Sequence, residues 1–322
     1  MHISLYLITL FREIVPEYFP CNLNIISEQN MCIDLHVHSI YSDGTNTPEQ
    51  LIHLASKAGL AAIALTDHDT VAGVEEMLYL GEEHNIKVIS GVEISCMHKE
   101  VPVHILGYGI DHTNEEFLNW ISHIQNARIE RNKHIVENLQ GIGIDVEFSE
   151  LSQYSKVGQT GRPHIARLLV EKKVVTSMDQ AFRQYLRRGA SAWASRKVYS
   201  AEEAVTVIHR AGGLAVLAHP GTMNRSHAVQ GNIIGELCGV GLDGVEMYYP
   251  SHTKKIIRRL KKIVQRYNLI STGGSDYHGG NHTGVFMAGW TERPCPPECL
   301  LEHLLAGLQR VKKNQSNAAL LS

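Results

Sequence analysis

The chain has 322 residues, enough for one large α/β domain or for two unequal domains. Its composition, 43% hydrophobic and 20% charged, is that of a folded globular protein and excludes a mainly disordered one. The formal net charge of -3 means that a nucleic-acid partner would need a local basic patch, since the chain as a whole does not attract polyanions.

The start of the chain predicts neither a membrane anchor nor a secretory signal. No apolar run reaches the length of about 18 residues that spans a membrane. The opening stretch is fairly apolar, but it lacks a cationic start and includes Arg12, Glu13 and Glu17. We interpret residues 1–30, which precede a second methionine at Met31, as an N-terminal extension without chemistry of its own.

The six cysteines do not predict a zinc site. They are scattered, no CxxC pair occurs, and a chain of this size does not need disulfides to stabilise its core. We therefore expect reduced cysteines and a cytoplasmic protein, with no membrane association and no obligate protein partner.

Short β-like runs alternate with helical segments in the first part of the chain. Thr47 and Gln50 form a capping box with Pro48 at the first helical position, and Gly59 ends that helix. A further helix extends to about Glu83. This alternation predicts β/α units and a mainly parallel sheet or barrel. Strands are predicted at 33–38, 61–66, 86–94 and 103–107.

The alternation stops at residues 112–197, which we interpret as a helical insertion. Apolar residues at helical spacing predict a long helix over 115–140, followed by shorter helices at 163–172 and 177–188. The insertion contains 13 Lys and Arg against 9 Asp and Glu, and this basic balance suits a lid over an anionic substrate. Solvated helix faces would show the same bias, so both interpretations stay open.

The β/α alternation returns at Ser200, which forms another capping box with Glu203. Residues 251–267 predict a basic amphipathic helix, which we interpret as a solvated outer helix of the barrel, with contact to RNA as the alternative. Strands are predicted at 214–218, 244–249 and 269–272. The resulting domains are a discontinuous barrel at 31–111 and 198–313, the insertion at 112–197 and a frayed tail at 314–322.

Histidine is unusually frequent, with 19 residues, and the first motif contains two of them. In Asp34-Leu35-His36-Val37-His38 the two histidines are two positions apart and therefore face the same side of a strand. They could bind one ion at the carboxyl end of that strand, with Asp43 in the following loop beside a neighbouring ion. Taken alone, a His-x-His pair is weak evidence for a metal site.

Potential ligands recur after the later strands, and this recurrence makes the prediction specific. The carboxyl ends of strands in a β/α barrel converge on one face, so these residues are expected to meet. Each of them alone would be better explained as a core or cap residue. The recurring residues are Asp67, His68, Asp69, Glu93, His104, His219, Asp276 and His278.

These motifs resemble the PHP (polymerase and histidinol phosphatase) family. The helical insertion and Gly161-Arg162-Pro163-His164 are similar to a small bacterial branch that hydrolyses nucleoside 3',5'-bisphosphates and trims the 5' ends of RNA. The resemblance implies a distorted (β/α)7 barrel and a site of three divalent ions, commonly manganese. The motif blocks are 34–44, 66–69, 91–95, 218–221 and 274–278.

The resemblance also implies a role for nine ligands, three of which (Glu93, Asp43 and His278) we place at the catalytic centre. Imidazoles with carboxylates suit manganese, and also zinc or iron. We expect three further carboxylates, Asp34, Asp67 and Asp69, to orient the imidazoles, although Asp69 could equally serve a loop or cap. The ligands of the three ions would be His36, His38, Glu93 and Asp276; Glu93, His104 and His219; and Asp43, His68 and His278.

Charge and geometry then predict a phosphate ester as the substrate. Three divalent ions and three carboxylates leave a net charge of about +3, which complements a phosphate dianion and a hydroxide. Guanidinium groups fit phosphate oxygens, so Arg162, Arg128 and Arg131 are predicted to bind a nucleotide or short RNA together with His164. Each arginine could instead be a surface ion-pair partner.

We therefore expect a metal-dependent phosphoesterase in which a metal-activated water attacks phosphorus. One alternative is another PHP phosphoesterase, such as a histidinol-phosphate phosphatase or a proofreading-type exonuclease. A second is an amidohydrolase, although no lysine lies at a strand end to bridge two ions. A third is a non-catalytic metal-binding or RNA-binding protein, although none of the nine ligands is missing.

Overall fold

Seven strands form one sheet, in which each strand lies beside its neighbours in the chain. This computed structural model describes residues 32–154, 158–223, 226–281, 284–287 and 295–321; the extension predicted at 1–30 lies outside them. The strands are β1 (Cys32–Val37), β2 (Leu60–Leu65), β3 (Lys87–His98), β4 (Val101–Tyr108), β5 (Leu214–Leu217), β6 (Gly244–Tyr248) and β7 (Ile270–Gly273).

The sheet is parallel except at β4, which runs antiparallel to both β3 and β5. Only Lys99 and Glu100 separate β3 from β4, and a connection this short permits a hairpin but no crossover helix. Among the described residues only one isolated parallel bridge, Val37 to Tyr277, links the two ends of the sheet, and β1 and β7 form no continuous ladder, so the sheet is not closed. The predicted α/β class and distorted (β/α)7 arrangement are confirmed, with β4 as the exception to the parallel order.

Nine helices occur within the described residues, and none of them is long and apolar enough to cross a membrane. Both halves of the capping boxes predicted at Thr47 and Ser200 are present. The helices are α1 (Pro48–Lys57), α2 (Val74–Glu83), α3 (Glu115–Gly141), α4 (Arg162–Glu171), α5 (Met178–Ala181), α6 (Ala201–Arg210), α7 (His227–Gly239), α8 (Lys254–Tyr267) and α9 (Cys299–Leu321).

Three helices differ from the sequence predictions. Helix α7 was not predicted, because Gly231 and Gly235 lower its helix propensity. Helix α5 ends early and continues as a π turn at Phe182–Leu186, so the helix predicted over 177–188 is shorter. Helix α9 continues to Leu321, through the tail that was predicted to be frayed.

The insertion has an apolar core of its own, formed by α3, α4, α5 and the 3₁₀ turn Phe148–Tyr154. Within its described residues it contains no strand. It nevertheless belongs to the same compact unit as the barrel, which extends from residue 31 to the end of the chain. The boundaries of the insertion and its role as a lid stay predictions. The residues at the centre of its core include Ile135, Leu139, Val146, Leu151, Ile165 and Leu169.

A disulfide joins Cys32, at the start of β1, to Cys295. Pro296, beside Cys295, accepts a hydrogen bond from the backbone N–H of Ile33 at 3.1 Å, so this segment is attached to the edge of β1. The expectation that the cysteines are all reduced is therefore wrong for this pair, which lies 263 positions apart in the chain.

Candidate metal centre

The structure brings all nine predicted ligands together at the carboxyl ends of the strands. His36 lies in β1 and His38 directly after it, while Glu93 and His104 lie on the paired strands β3 and β4. The remaining five occupy loops at the same end of the sheet: Asp43 after β1, His68 after β2, His219 after β5, and Asp276 and His278 after β7.

Glu93 is the centre of this group, because its two carboxylate oxygens face different histidines. Its Oε1 lies 2.7 Å from Nδ1 of His104 and 2.9 Å from Nε2 of His219. Its Oε2 lies 2.9 Å from Nδ1 of His68, and 3.2 Å and 3.3 Å from Nε2 of His36 and His38. One fully buried carboxylate thus contacts five imidazoles.

The other two carboxylates complete the ring of potential ligands. Oδ1 of Asp276 lies 3.3 Å from Nε2 of His36 and 3.1 Å from Nε2 of His38. Oδ1 of Asp43 lies 3.2 Å from Nε2 of His278, and its Oδ2 lies 4.0 Å from Nε2 of His68. Asp276 and Asp43 therefore flank the centre on either side of the histidines.

Three overlapping groups have ligand atoms close enough to share an ion. The first matches the set predicted for the first ion. The second contains the set predicted for the third ion and adds His38. The third joins Glu93 and His104 to His68, where the prediction has His219. The assignment of ligands to individual ions stays a prediction. The groups are His36, His38, Glu93 and Asp276; His38, Asp43, His68 and His278; and His68, Glu93 and His104.

Six of the nine residues present a buried nitrogen or oxygen that makes no hydrogen bond within the described part of the chain. Buried polar atoms without a partner are costly, so such a concentration at one point calls for a ligand. Imidazole nitrogens and carboxylate oxygens have lone pairs that suit a divalent cation, and the residues present fit metal ions. The atoms are Nε2 of His36 and His38, Oδ1 of Asp43 and Asp276, Nδ1 of His68 and Oε2 of Glu93.

The side chains shift each other's protonation strongly. Burial lowers the pKa of His36, but the carboxylates of Glu246, Asp276 and Glu93 outweigh it and keep this pKa well above its ordinary value. Burial likewise opposes the charged form of His278, yet Asp43 and Asp276 raise its pKa to about 9. Burial raises the pKa of Asp43, but His68 and His278 leave it well below its ordinary value. Metal ions must therefore displace protons from these imidazoles.

Two residues that the sequence analysis missed hold the ligands in position. The fully buried Glu246 of β6 lies with Oε1 3.0 Å from Nδ1 of His36, and its Oε2 accepts a hydrogen bond from the backbone N–H of His219 at 2.7 Å. The hydroxyl of Tyr249 donates to Oδ2 of Asp276 at 2.9 Å. Glu246 thus directs the Nε2 atom of His36 towards the centre. The sequence signal that could have identified Glu246 was the position of this acidic residue inside the predicted strand 244–249.

The three acidic residues expected to orient imidazoles make other hydrogen bonds. Asp34 accepts from the backbone N–H and the hydroxyl of Ser275, which ties β1 to the loop after β7. Asp67 accepts from Ser39 at 2.7 Å and 2.6 Å and orders the loop after β1. Asp69 is paired with arginine. These hydrogen bonds position the loops that carry the ligands, and the expected role of the three carboxylates in orienting imidazoles stays a prediction, while Glu246 lies directly against an imidazole.

Close backbone approaches shape the centre. A Cβ on Gly274 would lie 2.3 Å from Cβ of His36, so only glycine allows the loop after β7 to pass so near β1. His219 and Asp276 adopt positive φ angles of 28° and 55°. Such conformations are costly for residues other than glycine, and they are typical of functional sites.

A cluster of arginines lies beside the centre, where the insertion meets the barrel. Arg128 of α3 donates to Oδ2 of Asp69 at 2.6 Å and to the hydroxyl of Ser95 at 2.9 Å. Arg196, which the sequence analysis did not select, lies 3.4 Å from the same Asp69 oxygen. Arg131 has a buried Nη2 without a hydrogen-bond partner among the residues that the structure describes. Burial and then the charges of Arg128, Arg196 and Arg162 lower the pKa of Arg131 to about 8.

The four predicted substrate contacts therefore differ in their surroundings. Arg131 has a free donor, whereas Arg128 is engaged by Asp69. Arg162 donates to the carbonyl of Leu186 at 3.4 Å and belongs to the arginine cluster by its charge. His164 accepts from the backbone N–H of Gly161 at 2.9 Å, and it lines a pocket of about 270 Å³ next to the loop after β1.

Comparison with known proteins identifies the family. The model of the PHP domain matches residues 34–270. A 5'-3' exoribonuclease from Haemophilus influenzae is 33% identical over 259 residues, which cover 80% of this chain and 92% of the relative. A 3',5'-nucleoside bisphosphate phosphatase from Chromobacterium violaceum is 33% identical over 268 residues, covering 83% and 93%.

A solved structure agrees with the sequence relatives. It is a protein from Bifidobacterium adolescentis assigned as a metal-dependent phosphoesterase, with 29% identity and a TM-score of 0.77 over 86% of this chain and 96% of that one. The chain therefore belongs to the PHP domain family and is a metal-dependent phosphoesterase.

Proposed function

We propose that this phosphoesterase acts on nucleotides, with nucleoside 3',5'-bisphosphates and 5'-phosphorylated RNA as its substrates. Relatives of similar length carry these two activities in their names. The observation that carries the proposal is the occurrence of two sets of buried polar atoms without hydrogen-bond partners among the described residues. One set surrounds Glu93, and the other is Nη2 of Arg131, in an arginine cluster that contacts Asp69, the neighbour of His68 in the chain.

The cluster would supply the positive charge that a phosphate needs. Burial and the nearby charge of Arg128 lower the pKa of Arg131, Arg162 and Arg196, and only Asp69 contributes a carboxylate to the hydrogen bonds of these four arginines within the described residues. An incoming phosphate dianion would relieve this repulsion and accept from the free donor of Arg131. The phosphate would thereby be held against the metal centre.

The nine ligands would hold about three divalent ions per chain, since the donor atoms form three overlapping groups. When bound, such ions supply an activated water and neutralise charge on the phosphate oxygens. Glu93 would keep adjacent ions together, because its two oxygens face different sets of histidines. We propose manganese as the ion, with zinc or iron also compatible with imidazole and carboxylate ligands.

We also propose a cytoplasmic location, with no membrane association and no obligate protein partner. The composition supports this proposal, because it shows no basis for a membrane anchor or a framework of many cysteines. The opposing observation is the disulfide between Cys32 and Cys295, since disulfides are rare in that compartment.

The proposed function is tested on the purified full-length protein by elemental analysis, together with release of inorganic phosphate from the phosphate monoesters and of mononucleotides from the RNA and DNA. The substrates are nucleoside 3',5'-bisphosphates, 5'-phosphorylated RNAs, histidinol phosphate and single-stranded DNA with a free 3' end. We expect bound divalent metal and turnover of the first two, with both lost after treatment with a chelator. Preferred turnover of histidinol phosphate, or of DNA from its 3' end, would assign the site to a different phosphoesterase reaction.

A further inference from the structure

Helix α8 concentrates positive charge on the outside of the barrel. It carries seven of the 30 Lys and Arg residues of the chain and none of its 33 Asp and Glu residues. This is notable in a protein with a formal net charge of -3, because the charge on this helix opposes that of the chain as a whole. The seven residues are Lys254, Lys255, Arg258, Arg259, Lys261, Lys262 and Arg266.

These cations are available to a partner. Among the described residues, no carboxylate lies within ion-pair distance of any of the seven, unlike Lys99, Lys133 and Lys172 elsewhere in the fold. Lys255, Arg258 and Lys262 are exposed, and Arg259 is held in place by a hydrogen bond to Oε1 of Gln230 at 2.5 Å. The four residues Lys255, Arg258, Arg259 and Lys262 line one open depression of about 410 Å³.

The helix begins at the rim of the metal centre. It follows β6, and Tyr249, directly after that strand, donates a hydrogen bond to Asp276. His252, two residues before the helix, accepts from the backbone N–H of Gly221 at 3.0 Å, next to the loop that carries His219. From this point the 14 residues of α8 extend for about 20 Å. The seven cations average nearly two on each turn of about 5.4 Å.

The helix is unsuited to a membrane surface, because its apolar face is already used. Leu260 is completely buried, Ile256 lies close to Gly221, and Ile263 lies close to Gly231 of α7. None of the large apolar side chains that the described part of the chain leaves exposed belongs to α8. A helix that lies in a bilayer interface needs a free apolar face to insert. With a bilayer surface excluded, a linear polyanion is the partner whose charge and shape fit an extended row of cations without ion-pair partners among the described residues.

We propose that α8 is a docking surface for single-stranded RNA. The 5' end of the RNA lies at the metal centre, and its downstream phosphates lie along Lys255, Arg258, Arg259 and Lys262. The proposal rests on the proposed function, since it extends the RNA substrate beyond the site of hydrolysis. Its recognition is electrostatic and independent of base sequence, because the exposed groups of this row are ammonium and guanidinium groups.

Two properties follow from this geometry. The depression formed by Lys255, Arg258, Arg259 and Lys262 shares no residue with the metal centre, so we expect this surface to affect long substrates and not a mononucleotide bound at the centre. Each phosphate contact releases counterions, so log affinity falls with log salt by about 0.7 per contact for a single strand. The double substitution K255Q/K262Q should therefore lower the salt slope by about 1.4 and weaken binding of a long RNA about 10-fold at low salt.

The test compares three full-length proteins: the natural one, K255Q/K262Q, and the matched control K57Q/K87Q. Lys57 and Lys87 are also exposed but lie at the opposite end of the sheet, at the end of α1 and the start of β3. Binding of a 5'-hydroxyl RNA of about 20 nucleotides is measured by fluorescence anisotropy over a salt series, beside an RNA of about 4 nucleotides. Turnover of a nucleoside 3',5'-bisphosphate and of the 5'-phosphorylated RNAs is measured in parallel.

The proposal expects K255Q/K262Q to lose affinity and turnover for the long RNA, to keep bisphosphate turnover, and to differ from K57Q/K87Q. Equal salt slopes for the two variants would overturn it. It would also be overturned if the natural protein bound anionic phosphatidylserine vesicles and not RNA, and if K255Q/K262Q weakened that binding. The proposed function fails separately, if the natural protein hydrolyses neither 5'-phosphorylated RNA nor bisphosphate. The anisotropy with 5'-hydroxyl RNA still decides the docking surface in that case.

Discussion

At the scale of single residues, the centre depends on Glu93. A fully buried carboxylate would be costly without compensation, and here burial is outweighed by His68, His104 and His36, which leave the pKa of Glu93 well below its ordinary value. The carboxylate therefore stays charged and presents both oxygens. The buried nitrogen and oxygen atoms around it that lack hydrogen-bond partners would be satisfied by bound cations. Buried polar atoms without partners are expected mainly at functional sites of folded proteins.

Replacing Glu93 by glutamine should remove this charge with little change in size. We expect loss of bound metal and a fall in kcat/KM of at least about 100-fold, because two sets of histidines lose their shared carboxylate. Elemental analysis and phosphate release check the result, with Glu75→Gln on the exposed face of α2 as the control for the same chemical change. Full metal content with near-normal turnover would refute the role of Glu93.

Replacing Glu246 by glutamine tests a positioning residue that touches no substrate. Glutamine keeps a hydrogen-bond acceptor near His36 but removes the negative charge of Glu246. That charge favours the tautomer of His36 in which Nδ1 carries the proton and faces residue 246. We expect a loss of about 10-fold to 100-fold in metal affinity, and a kcat that recovers at high metal concentration. A kcat that stays low at saturating metal would show that Glu246 acts on the reaction itself instead of through His36.

At the scale of elements, the strands supply the centre and the insertion supplies the arginines. Residues at the carboxyl ends of β1, β2, β5 and β7 meet because parallel strands end on the same edge of the sheet. Strand β4 runs in the opposite direction, so His104 lies in the middle of this strand, opposite Ser95 of β3. Arg128 attaches α3 to this edge through Asp69 and Ser95, which places Arg131 one helical turn further along.

Replacing Arg131 by glutamine should weaken phosphate binding while leaving the metal centre intact. We expect KM to rise about 10-fold, the cost of one hydrogen bond to a charged group, with a smaller effect on kcat. Steady-state kinetics with a nucleoside 3',5'-bisphosphate checks this, and Arg188→Gln on the exposed part of the insertion serves as the control. Equal KM values for the two variants would mean that the free donor of Arg131 does not meet the substrate.

At the scale of the whole molecule, the buried centre links stability to pH and metal. The pKa of His278 is raised from 6.5 to about 9, so its contribution is fully present below pH 6.5 and is lost as pH rises through about 9. The pKa values of Asp43, Glu93 and Asp276 are depressed, so their contribution is present above their ordinary values and is lost on acidification.

The metal-free protein should therefore lose stability as pH rises from about 6.5 to beyond 9, by a few degrees in Tm. Metal ions replace the protons, so the loaded protein should keep its Tm over this range, and binding should release protons. Thermal unfolding of chelator-treated and reloaded protein across this pH range checks both. A Tm of the metal-free protein that rises towards pH 9 would contradict the expected direction.

Several features could be predicted from the sequence because they depend on local patterns. The spacing of His36 and His38 in a strand, the capping boxes at Thr47 and Ser200, and the placement of acidic residues and histidines directly after apolar runs are all set within a few positions. These patterns were sufficient to predict the α/β class and to list candidate ligands, and the family resemblance selected nine of them, which the structure brings together.

The tertiary structure decided the features that depend on distant contacts. Glu246 resembles any buried strand residue until the fold brings its side chain on β6 to His36 of β1, and Arg196 gains significance when Asp69 lies next to it. The disulfide of Cys32 joins positions whose separation in the chain hides their proximity. The physical reason is that local spacing determines which way a side chain faces, whereas its partners, pKa and unsatisfied atoms depend on what the fold packs against it.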